Sequence, residues 1–473
     1  MGDGLKNTAT RAAFGAAIDG VLRYVNKNEE DREKAFLKLV DLSEKFLGDT
    51  FSPETFESAR ELVHDTDGKW MRFINTALNE LDPHVIKMNA LNLGYQAGFY
   101  GFKKTQALQE ELDCNVPWII LMDPTSACNL HCTGCWAAEY GNRLNLSYED
   151  LDQIVSQGKE LGIYFYMMTG GEPLVRKKDI IKLCRKHKDC AFHAFTNGTL
   201  IDEEFCRETA EVGNLTFSLS LEGFEEVNDG RRGNGIFNKV MDAMDLMKKH
   251  GLLFGTSICY TSANYKTVTS DEFLDMIIEK GVRYTWYFHY MPVGNDAAVE
   301  LLPTKEQREF MYHRVREIRS SDSDKAIFAM DFQNDGEFVG GCIAGGRFYC
   351  HINPNGDVEP CVFIHYSSAN IHDMPLLECF KQPLFAEYRK GQPFNHNMLR
   401  PCPMLENPGS LKTMVEKTGA HSTDLQSPES AEHLCEKCEA YASCWTGKAD
   451  DLWEKSEKAK EAKKEQQAEA AAK

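Results

Sequence analysis

Hydrophobic and polar positions alternate in two different ways along the chain. Up to about residue 112, apolar residues recur at the three- and four-residue spacing of helices, as at Phe36, Leu39 and Val40. From Trp118 onward, short apolar runs are separated by longer helical patterns, which is typical of βα units around a parallel sheet. Six of these runs predict strands, at residues 118–122, 163–168, 192–195, 215–221, 253–260 and 284–290.

This pattern divides the chain into four predicted parts. A helical N-terminal domain covers residues 1–112, an α/β core residues 113–320, a cysteine-rich region residues 321–453 and a charged tail residues 454–473. Helix-start signals lie between the strands, for example Ser147 with Asp150 as a capping box. The βα units fit an open or curved barrel, so the chemistry is expected on loops after the carboxyl ends of the strands.

Charge and hydropathy exclude several function classes. The 473 residues carry 53 basic and 72 acidic side chains, a formal net charge of −19, which disfavours binding to nucleic acid. No run approaches the roughly 18 apolar residues that a membrane helix needs, and no secretory signal peptide is evident. We therefore expect a cytoplasmic protein that does not bind nucleic acid and does not span a membrane.

The sixteen cysteines are the strongest chemical signal, because closely spaced thiols in a reducing compartment more often bind metal than form disulfides. Cys128, Cys132 and Cys135 follow the first predicted strand in a Cx3Cx2C spacing. Structural zinc sites normally use four protein ligands, so three thiolates favour a 4Fe-4S cluster with one iron open to a cofactor. The alternative is a zinc loop that borrows His131 or a distant ligand.

Further motifs follow the next predicted strands in order. The second strand runs into TGGEP at residues 169–173, the third into TNG at 196–198, and the loop at 228–233 reads NDGRRG. Together with the Cx3Cx2C loop, these motifs resemble the radical S-adenosylmethionine (radical SAM) superfamily. The resemblance implies an α/β fold with a partial (β/α)6 barrel, a SAM-binding 4Fe-4S cluster held by the three cysteines, and S-adenosyl-L-methionine (SAM) as cofactor.

The same resemblance implies which residues contact SAM. Glu172 would bind the methionine amino group, and Arg232 aligns with an arginine near the cofactor. The full predicted set is Gly170, Gly171, Glu172, Thr196, Asn197, Ser220 and Arg232. The chain departs from many relatives in having Gly134 where an aromatic residue near adenine precedes the third cysteine. Trp136 or the backbone would take that place, unless Trp136 is a core residue.

A second group of cysteines lies in the C-terminal region. Cys342 and Cys361 enclose a C-x13-G-x4-C pattern, and a Cx2Cx5C pattern begins at Cys435, which together resemble the SPASM extension with its auxiliary iron-sulfur clusters. The candidate ligands are Cys342, Cys350, Cys361, Cys402, Cys435, Cys438 and Cys444. Seven thiolates are one short of two clusters with four ligands each, and Lys448 stands where the pattern expects another cysteine. Several alternatives stay open for these cysteines. They could hold one or two auxiliary clusters, a site completed by a histidine such as His351 or His365, or a structural zinc or rubredoxin-like iron.

The resemblance implies a radical enzyme. It would cleave SAM reductively to a 5'-deoxyadenosyl radical, take its electron from a low-potential donor such as flavodoxin or ferredoxin, and abstract a hydrogen from a substrate. A peptide or protein is the leading substrate, and the alternatives are C–C bond formation or modification on a lipid or small molecule. A non-catalytic iron-sulfur electron carrier or regulator is the alternative of another class. The aromatic, glycine-rich segment at residues 91–102 is expected in the core or facing an apolar substrate.

Overall fold

The computed structural model describes residues 2–25, 29–48, 52–295 and 297–471. Among these residues, one sheet contains β1 (Ile119–Met122), β2 (Phe165–Met168), β3 (Ala191–Thr196), β4 (Leu215–Ser220), β5 (Phe254–Tyr260), β6 (Tyr284–His289), β7 (Phe328–Asp331), β8 (Tyr349–Ile352) and β9 (Val358–Glu359). The order across the sheet is β7-β6-β5-β4-β3-β2-β1-β8-β9. A separate antiparallel pair joins β10 (Tyr366–Ser367) to β11 (His421–Ser422).

Strands β1 to β8 run parallel to their neighbours, and only β9 pairs antiparallel, with β8. The carboxyl ends of the eight parallel strands therefore meet at one edge of the sheet. The predicted α/β class, with helices around a mostly parallel sheet and a helical N-terminal region, is confirmed. All six predicted strands are present, because strands buried on both faces read as continuous apolar runs.

The sequence analysis missed β7 and β8. Each has only four residues, and β8 carries Cys350 and His351 in its middle, so neither segment reads as an apolar run. Strand β8 also pairs with β1, far away along the chain, with Leu121 opposite His351. The sheet is therefore wider than six strands, and its added edge comes from the cysteine-rich region.

Helices surround the sheet and form both ends of the chain. The α-helices are α1 (Gly2–Val25), α2 (Glu29–Leu47), α3 (Pro53–His64), α4 (Lys69–Glu80), α5 (Pro83–Asn89), α6 (Phe102–Glu111), α7 (Tyr148–Glu160), α8 (Lys177–Lys186), α9 (Glu203–Val212), α10 (Glu225–Arg232), α11 (Ile236–Lys249), α12 (Asp271–Glu279), α13 (Lys305–Arg319), α14 (Gly336–Val339), α15 (Leu376–Phe380), α16 (Pro383–Gly391), α17 (Pro408–Thr418) and α18 (Ala431–Ala471). A π-helix spans Ala90–Gly101, and short 3-10 turns cover Ala138–Tyr140, Pro173–Arg176, Thr267–Thr269 and Val299–Leu301. None of the described helices has the length and apolar character needed to cross a membrane.

Local sequence signals account for the start of α7 and for the length of α18. The capping box at Ser147 and Asp150 is present in both directions and starts α7. Helix α18 continues across residue 454, where the sequence analysis placed the start of a charged tail, because Glu, Lys, Ala and Gln favour helix.

The π-helix connects the N-terminal helices to the sheet. Asn92 lies fully buried and donates from its amide to the carbonyl oxygens of Lys188 and Cys190, which directly precede β3. The indole of Trp118, just before β1, donates to the carbonyl of Ala97 at 2.8 Å. Both contacts lie at the amino ends of the strands, opposite the edge where the carboxyl ends meet. The segment 91–102 therefore packs against the amino ends of the strands, which favours the core alternative over one that faces a substrate.

Candidate active site at the carboxyl edge of the sheet

The loop after β1 carries the Cx3Cx2C cysteines to the carboxyl edge of the sheet. Cys128, Cys132 and Cys135 line one cavity of about 230 Å³. Burial raises the pKa of Cys128 to about 11, and burial also raises the pKa of Cys135. Because thiolates and not thiols bind metal, occupation of this site must release protons.

Two glycines after β2 hold the cysteine loop against the sheet. A Cβ at Gly171 would lie 2.3 Å from the carbonyl oxygen of Ala127, and one at Gly170 would lie 2.6 Å from that of Thr125. Gly171 also donates its N–H to Thr125 at 3.0 Å. Only residues without side chains allow this close approach. The two glycines therefore place their own backbone against the cysteine loop, and they also line the cavity.

Glu172 follows the glycines and is 1% exposed. Its carboxylate accepts hydrogen bonds from the Thr196 hydroxyl at 2.6 Å and from the backbone N–H groups of Asn197 and Leu174 at 2.8 and 3.0 Å. Burial raises the pKa of Glu172 although these donors oppose the shift. No cation lies within ion-pair distance of Glu172 among the described residues, although Arg232 lowers its pKa from further away, so hydrogen bonds alone hold the carboxylate at the cavity.

The structure brings Thr196, Asn197 and Ser220 to the same cavity. Thr196 ends β3 and Ser220 ends β4, which explains their common position. Asn197 also donates from its amide to Asn129 of the cysteine loop at 2.9 Å. These side chains thus line a wall of the cavity beside Glu172, as the sequence analysis expected of their order along the chain.

Arg232 lies at the end of α10 and reaches the cysteine loop. One of its guanidinium nitrogens donates to Cys132 Sγ at 3.9 Å, while Nε donates to the buried Glu222 at 3.0 Å. The sequence analysis did not single out Arg231, which donates through Nε to the Thr133 carbonyl at 3.2 Å and lies 2.6 Å from Glu222. Two arginines share one carboxylate here, so a net positive charge stands beside Cys132.

The remaining cavity wall is largely aromatic. Trp286 and Phe288 of β6 and Phe195 of β3 face the cavity, with Tyr290 just beyond β6. Gly134 has φ +66°, and a Cβ there would lie 2.8 Å from the Tyr290 ring, which explains the glycine where relatives have an aromatic residue. The sequence analysis missed this wall because strand aromatics read as ordinary core residues.

Trp136 separates the cavity from a buried polar network. Its ring lines the cavity on one side and packs edge-on against His351, with centroids 5.9 Å apart, on the other. His351 Nε2 lies 3.0 Å from Asp123 Oδ1, and Nδ1 lies 2.6 Å from Glu359 Oε2, with all three side chains fully buried. Burial would lower the pKa of His351, but the two carboxylates raise it to about 10.

The buried polar groups hold the imidazoles of two histidines that were candidate metal ligands. The imidazole of His351 is held by Asp123 and Glu359, and that of His365 by Asp424 and the carbonyl of Val362. Tyr140 stacks on His365 with centroids 4.6 Å apart and donates its hydroxyl to Glu359. In both histidines, each ring nitrogen therefore lies within 3.0 Å of an oxygen atom.

The C-terminal cysteines do not gather at one place. Cys342, Cys361 and Cys402 line a second cavity of about 510 Å³ next to the first one. Cys350 is fully buried on β8 and neighbours Cys379 instead. Burial raises the pKa of Cys342 to about 12 and that of Cys361 to about 11, so these thiols also exchange protons for metal.

The other three cysteines lie on α18. Cys435 and Cys438 are three positions apart and share one side of the helix, and Cys438 is fully buried. Cys444 is exposed and stands nine positions beyond Cys435, which at 3.6 residues per turn places it on the opposite side. The helix therefore does not bring the Cx2Cx5C cysteines to one point.

The donor set at the first cavity fits an iron-sulfur cluster. Three thiols share the cavity, a net positive charge flanks Cys132, and Glu172 provides a carboxylate without an ion-pair partner for a cationic ligand. In the described part of the chain, no three His, Cys, Asp or Glu side chains converge tightly enough to share a single metal ion. The cysteine sulfurs that bind an iron-sulfur cluster lie further apart than the ligands of a single metal ion, because each thiolate binds a different iron.

Comparison with known proteins agrees with this geometry. Residues 122–279 match the model of the radical SAM superfamily, and residues 342–404 match that of the SPASM iron-sulfur cluster-binding domain. An AdoMet-dependent heme synthase of Methanosarcina barkeri is 23% identical over 293 residues, 56% of this chain and 83% of that protein. The mycofactocin maturase MftC of Mycolicibacterium smegmatis is 28% identical over 272 residues, 54% of this chain and 67% of that protein.

A solved structure shares the fold. The crystal structure of Streptococcus suis SuiB bound to precursor peptide SuiA superposes with a TM-score of 0.54 at 19% identity, and the match covers 68% of this chain and 76% of that one. The two domain matches and the cysteine cavity at the strand ends imply 4Fe-4S clusters and SAM as cofactors. The chain therefore contains a radical SAM domain, at residues 122–279, and a SPASM iron-sulfur cluster-binding domain, at residues 342–404.

Proposed function

We propose that the enzyme uses SAM bound in the first cavity to remove a hydrogen atom from a carbon of a peptide or protein substrate. The observation that carries this proposal is the single cavity shared by Cys128, Cys132, Cys135 and Glu172 at the carboxyl edge of the sheet. When bound, the cluster supplies the electron that cleaves SAM to methionine and a 5'-deoxyadenosyl radical.

The residues of the cavity would hold SAM and the cluster in a fixed relation. Glu172 offers a buried carboxylate without an ion-pair partner among the described residues, which suits the ammonium group of the methionine part. Thr196 keeps its hydroxyl hydrogen on Glu172 Oε1, so the carboxylate stays oriented. Because Gly171 packs on the cysteine loop, the carboxylate and the cysteines move as one unit.

Arg231 and Arg232 would stabilise the anionic side of this arrangement. Three thiolates on a cluster add negative charge at Cys132, and the two guanidiniums share only Glu222. Burial lowers the pKa of Arg231, but the surrounding Cys259, Glu222 and Cys132 raise it above its ordinary value. Arg231 therefore remains cationic at every working pH.

The substrate part of the proposal rests on the cavity wall and on relatives. Trp286, Phe288 and Phe195 exclude water and favour an apolar or aromatic group, as a radical intermediate requires. SuiB was solved with its precursor peptide, and MftC is a maturase. A peptide or protein that presents such a side chain to the cavity is the substrate we propose.

An apolar small molecule is the second candidate, favoured by the same aromatic wall. The second cavity, which adjoins the first, is also lined mainly by apolar side chains such as Met330, Phe332 and Ile343. One relative is named for heme synthesis. Lipids and other extended apolar molecules would fit such a continuous lining.

We further propose an auxiliary 4Fe-4S cluster in the second cavity, held by Cys342, Cys361 and Cys402. These cysteines lie along one cavity, whereas Cys350, Cys435, Cys438 and Cys444 do not join them. A low-potential donor such as flavodoxin or ferredoxin would supply electrons to the enzyme.

The first experiment measures iron content and 5'-deoxyadenosine in anaerobically reconstituted protein with dithionite and SAM. We expect the wild type to form 5'-deoxyadenosine, and the variant with Cys128, Cys132 and Cys135 changed to Ala to lose about four irons and all product. Glu172→Gln should keep its iron, because it keeps the shape and loses the charge, but form at least about tenfold less product.

The matched control is Glu208→Gln, a partly exposed carboxylate on α9 that does not line the cavity. A wild type with a filled, reducible cluster that forms no 5'-deoxyadenosine would contradict the proposal and support the electron carrier or regulator. To separate substrate classes, fully deuterated cell peptides and lipids are supplied in separate reactions. Deuterium appearing in 5'-deoxyadenosine from the peptide reaction supports the first candidate, and from the lipid reaction the second.

A further inference from the structure

Tyr349 lies on the wall between the two cavities. It begins β8, is 5% exposed, and lines both the cavity of the Cx3Cx2C cysteines and the cavity of Cys361. Its backbone is fixed by the pairing of β8 with β1, where it stands opposite Ile119. The central sheet, and not a loop, therefore positions this side chain.

The phenol of Tyr349 donates a hydrogen bond to Cys361. The hydroxyl oxygen lies 2.6 Å from Cys361 Sγ, and both groups are buried. A hydrogen bond from a hydroxyl to a cysteine sulfur stabilises the thiolate, because it places a partly positive hydrogen at the charged atom.

A donor at a cysteine sulfur changes the energy of a bound cluster. Reduction places an additional negative charge on the iron, the sulfides and the cysteine sulfurs. A hydrogen bond to one of those sulfurs stabilises the reduced form more than the oxidised form, which raises the reduction potential. Hydrogen bonding of this kind is one of the means by which proteins set cluster potentials.

We propose that Tyr349 is a positioning residue that raises the reduction potential of the auxiliary cluster through its hydrogen bond to Cys361. This inference rests on the proposed cluster at Cys342, Cys361 and Cys402. Tyr349 also lines the first cavity, where the substrate would bind. It would therefore act on the auxiliary cluster from the wall that separates this cluster from the substrate.

Tyr388 provides a matched control. It is also fully buried and lies near Cys342, Cys361 and Cys402, which together with burial raise its pKa. Its hydroxyl has no hydrogen-bond partner among the described residues. Tyr388→Phe therefore removes the same atom in the same surroundings without removing a hydrogen bond to a cysteine.

The test uses full-length protein in which Cys128, Cys132 and Cys135 are changed to Ala, so that only auxiliary iron remains. In this background, Tyr349→Phe and Tyr388→Phe are compared by redox titration followed by electron paramagnetic resonance. We expect Tyr349→Phe to lower the equilibrium constant for reduction about tenfold, a shift of about 59 mV for one electron, and Tyr388→Phe to leave it unchanged.

A second measurement detects the hydrogen bond itself. Electron-nuclear double resonance on the reduced cluster should detect an exchangeable proton that couples more strongly than those of the backbone N–H groups, such as Leu405 on Cys402 at 3.4 Å. Its signal should disappear after transfer to deuterium oxide and should be absent in Tyr349→Phe.

The outcomes separate this inference from its premise. If Tyr349→Phe and its parent have equal reduction potentials, the role of Tyr349 is overturned but the auxiliary cluster is not. Equal shifts of the potential in both tyrosine variants would have the same meaning. Absence of iron in the triple-alanine background would overturn the proposed auxiliary cluster and this inference with it. If Tyr349→Phe loses iron, the presence or absence of the exchangeable proton in the parent decides.

Discussion

A histidine held between two carboxylates lies directly behind the active-site wall. His351 contacts Asp123 on one side and Glu359 on the other, and none of the three is exposed. Asp123 follows β1 and leads into the cysteine loop, whereas Glu359 belongs to the cysteine-rich region. A protonated His351 therefore joins two regions of the chain by charge as well as by strand pairing.

The charge of His351 predicts how stability depends on pH. Its pKa in the folded chain is about 10 against an ordinary value of 6.5, so the native state binds the proton more tightly than the unfolded state. The contribution is complete below about pH 6.5 and is lost as pH rises through about 10. We expect the wild-type midpoint of thermal unfolding to fall between pH 7 and 10, and His351→Gln to be less stable with a shallower slope.

The control for this pH series is His372→Gln, because His372 is half exposed beside Asp150 on the surface. Scanning fluorimetry across the pH range gives the slopes. A His351→Gln slope equal to that of the wild type would show that the histidine is not the titrating group.

At the scale of elements, the segment after β2 decides where the cysteine loop lies. Gly171 donates to Thr125 and Glu172 donates to Ala127, so the two loops pair through their backbones. Motif spacing along the chain reveals both loops but not their contact. That contact exists because β1 and β2 are parallel neighbours whose carboxyl ends coincide.

We predict that Gly171→Ala displaces the cysteine loop. Its Cβ would stand 2.3 Å from the Ala127 carbonyl oxygen, and backbone cannot yield as a flexible side chain can. Reconstituted protein should lose up to about four irons, and 5'-deoxyadenosine formation should fall by at least about tenfold.

Gly447→Ala is the control, since nothing lies within 4 Å of its added Cβ and alanine favours helix α18. This variant should keep its iron and gain up to about 1 kcal/mol of stability. Full iron and activity in Gly171→Ala would refute the displacement.

At the scale of the whole molecule, a buried ion pair connects the barrel to the C-terminal region. Arg308 of α13 lies 2.7 Å from Glu406, with both side chains 0% exposed. Arg308 also donates to Tyr441 and packs over the ring of Trp445, both on α18, with the guanidinium 4.3 Å from the ring centroid. One arginine therefore contacts two residues of the long terminal helix, which also reaches the barrel through Tyr441 at His289 and Lys448 at Glu309.

Removal of either charge should cost more than removal of both. Arg308→Met leaves Glu406 buried and unpaired, and we expect it to lower the free energy of unfolding by about 3–5 kcal/mol. The double variant Arg308→Met with Glu406→Leu should recover part of that loss. Urea unfolding measures both values.

An exposed ion pair serves as comparison. Arg185 pairs with Glu208 and Glu211 on the surface, so Arg185→Met should change stability by less than about 1 kcal/mol. A double variant less stable than Arg308→Met would contradict the assignment of the loss to an unpaired buried charge.

The sequence by itself determined the class of fold, six of the strands and the motif residues that line the first cavity, but not its aromatic wall or Arg231. Apolar runs in strands buried on both faces are local features, and the cysteine, TGGEP and TNG motifs each follow a strand directly. Parallel strands end at one edge, so motifs that are distant along the chain were expected to share a site. Cys128, Glu172 and Thr196 do share it.

Only the tertiary structure decided which of the remaining residues act together. Strand β8 pairs with β1 from more than 200 positions away, and that pairing places His351 beside Asp123 and Tyr349 beside the first cavity. It also separates Cys350 from Cys342 and Cys361, which spacing alone could not do. Long-range pairing leaves no local pattern, because a short buried strand with a cysteine and a histidine reads like any loop. Contacts between distant segments, and not the type of each residue, therefore distinguish ligand, donor and core positions in this protein.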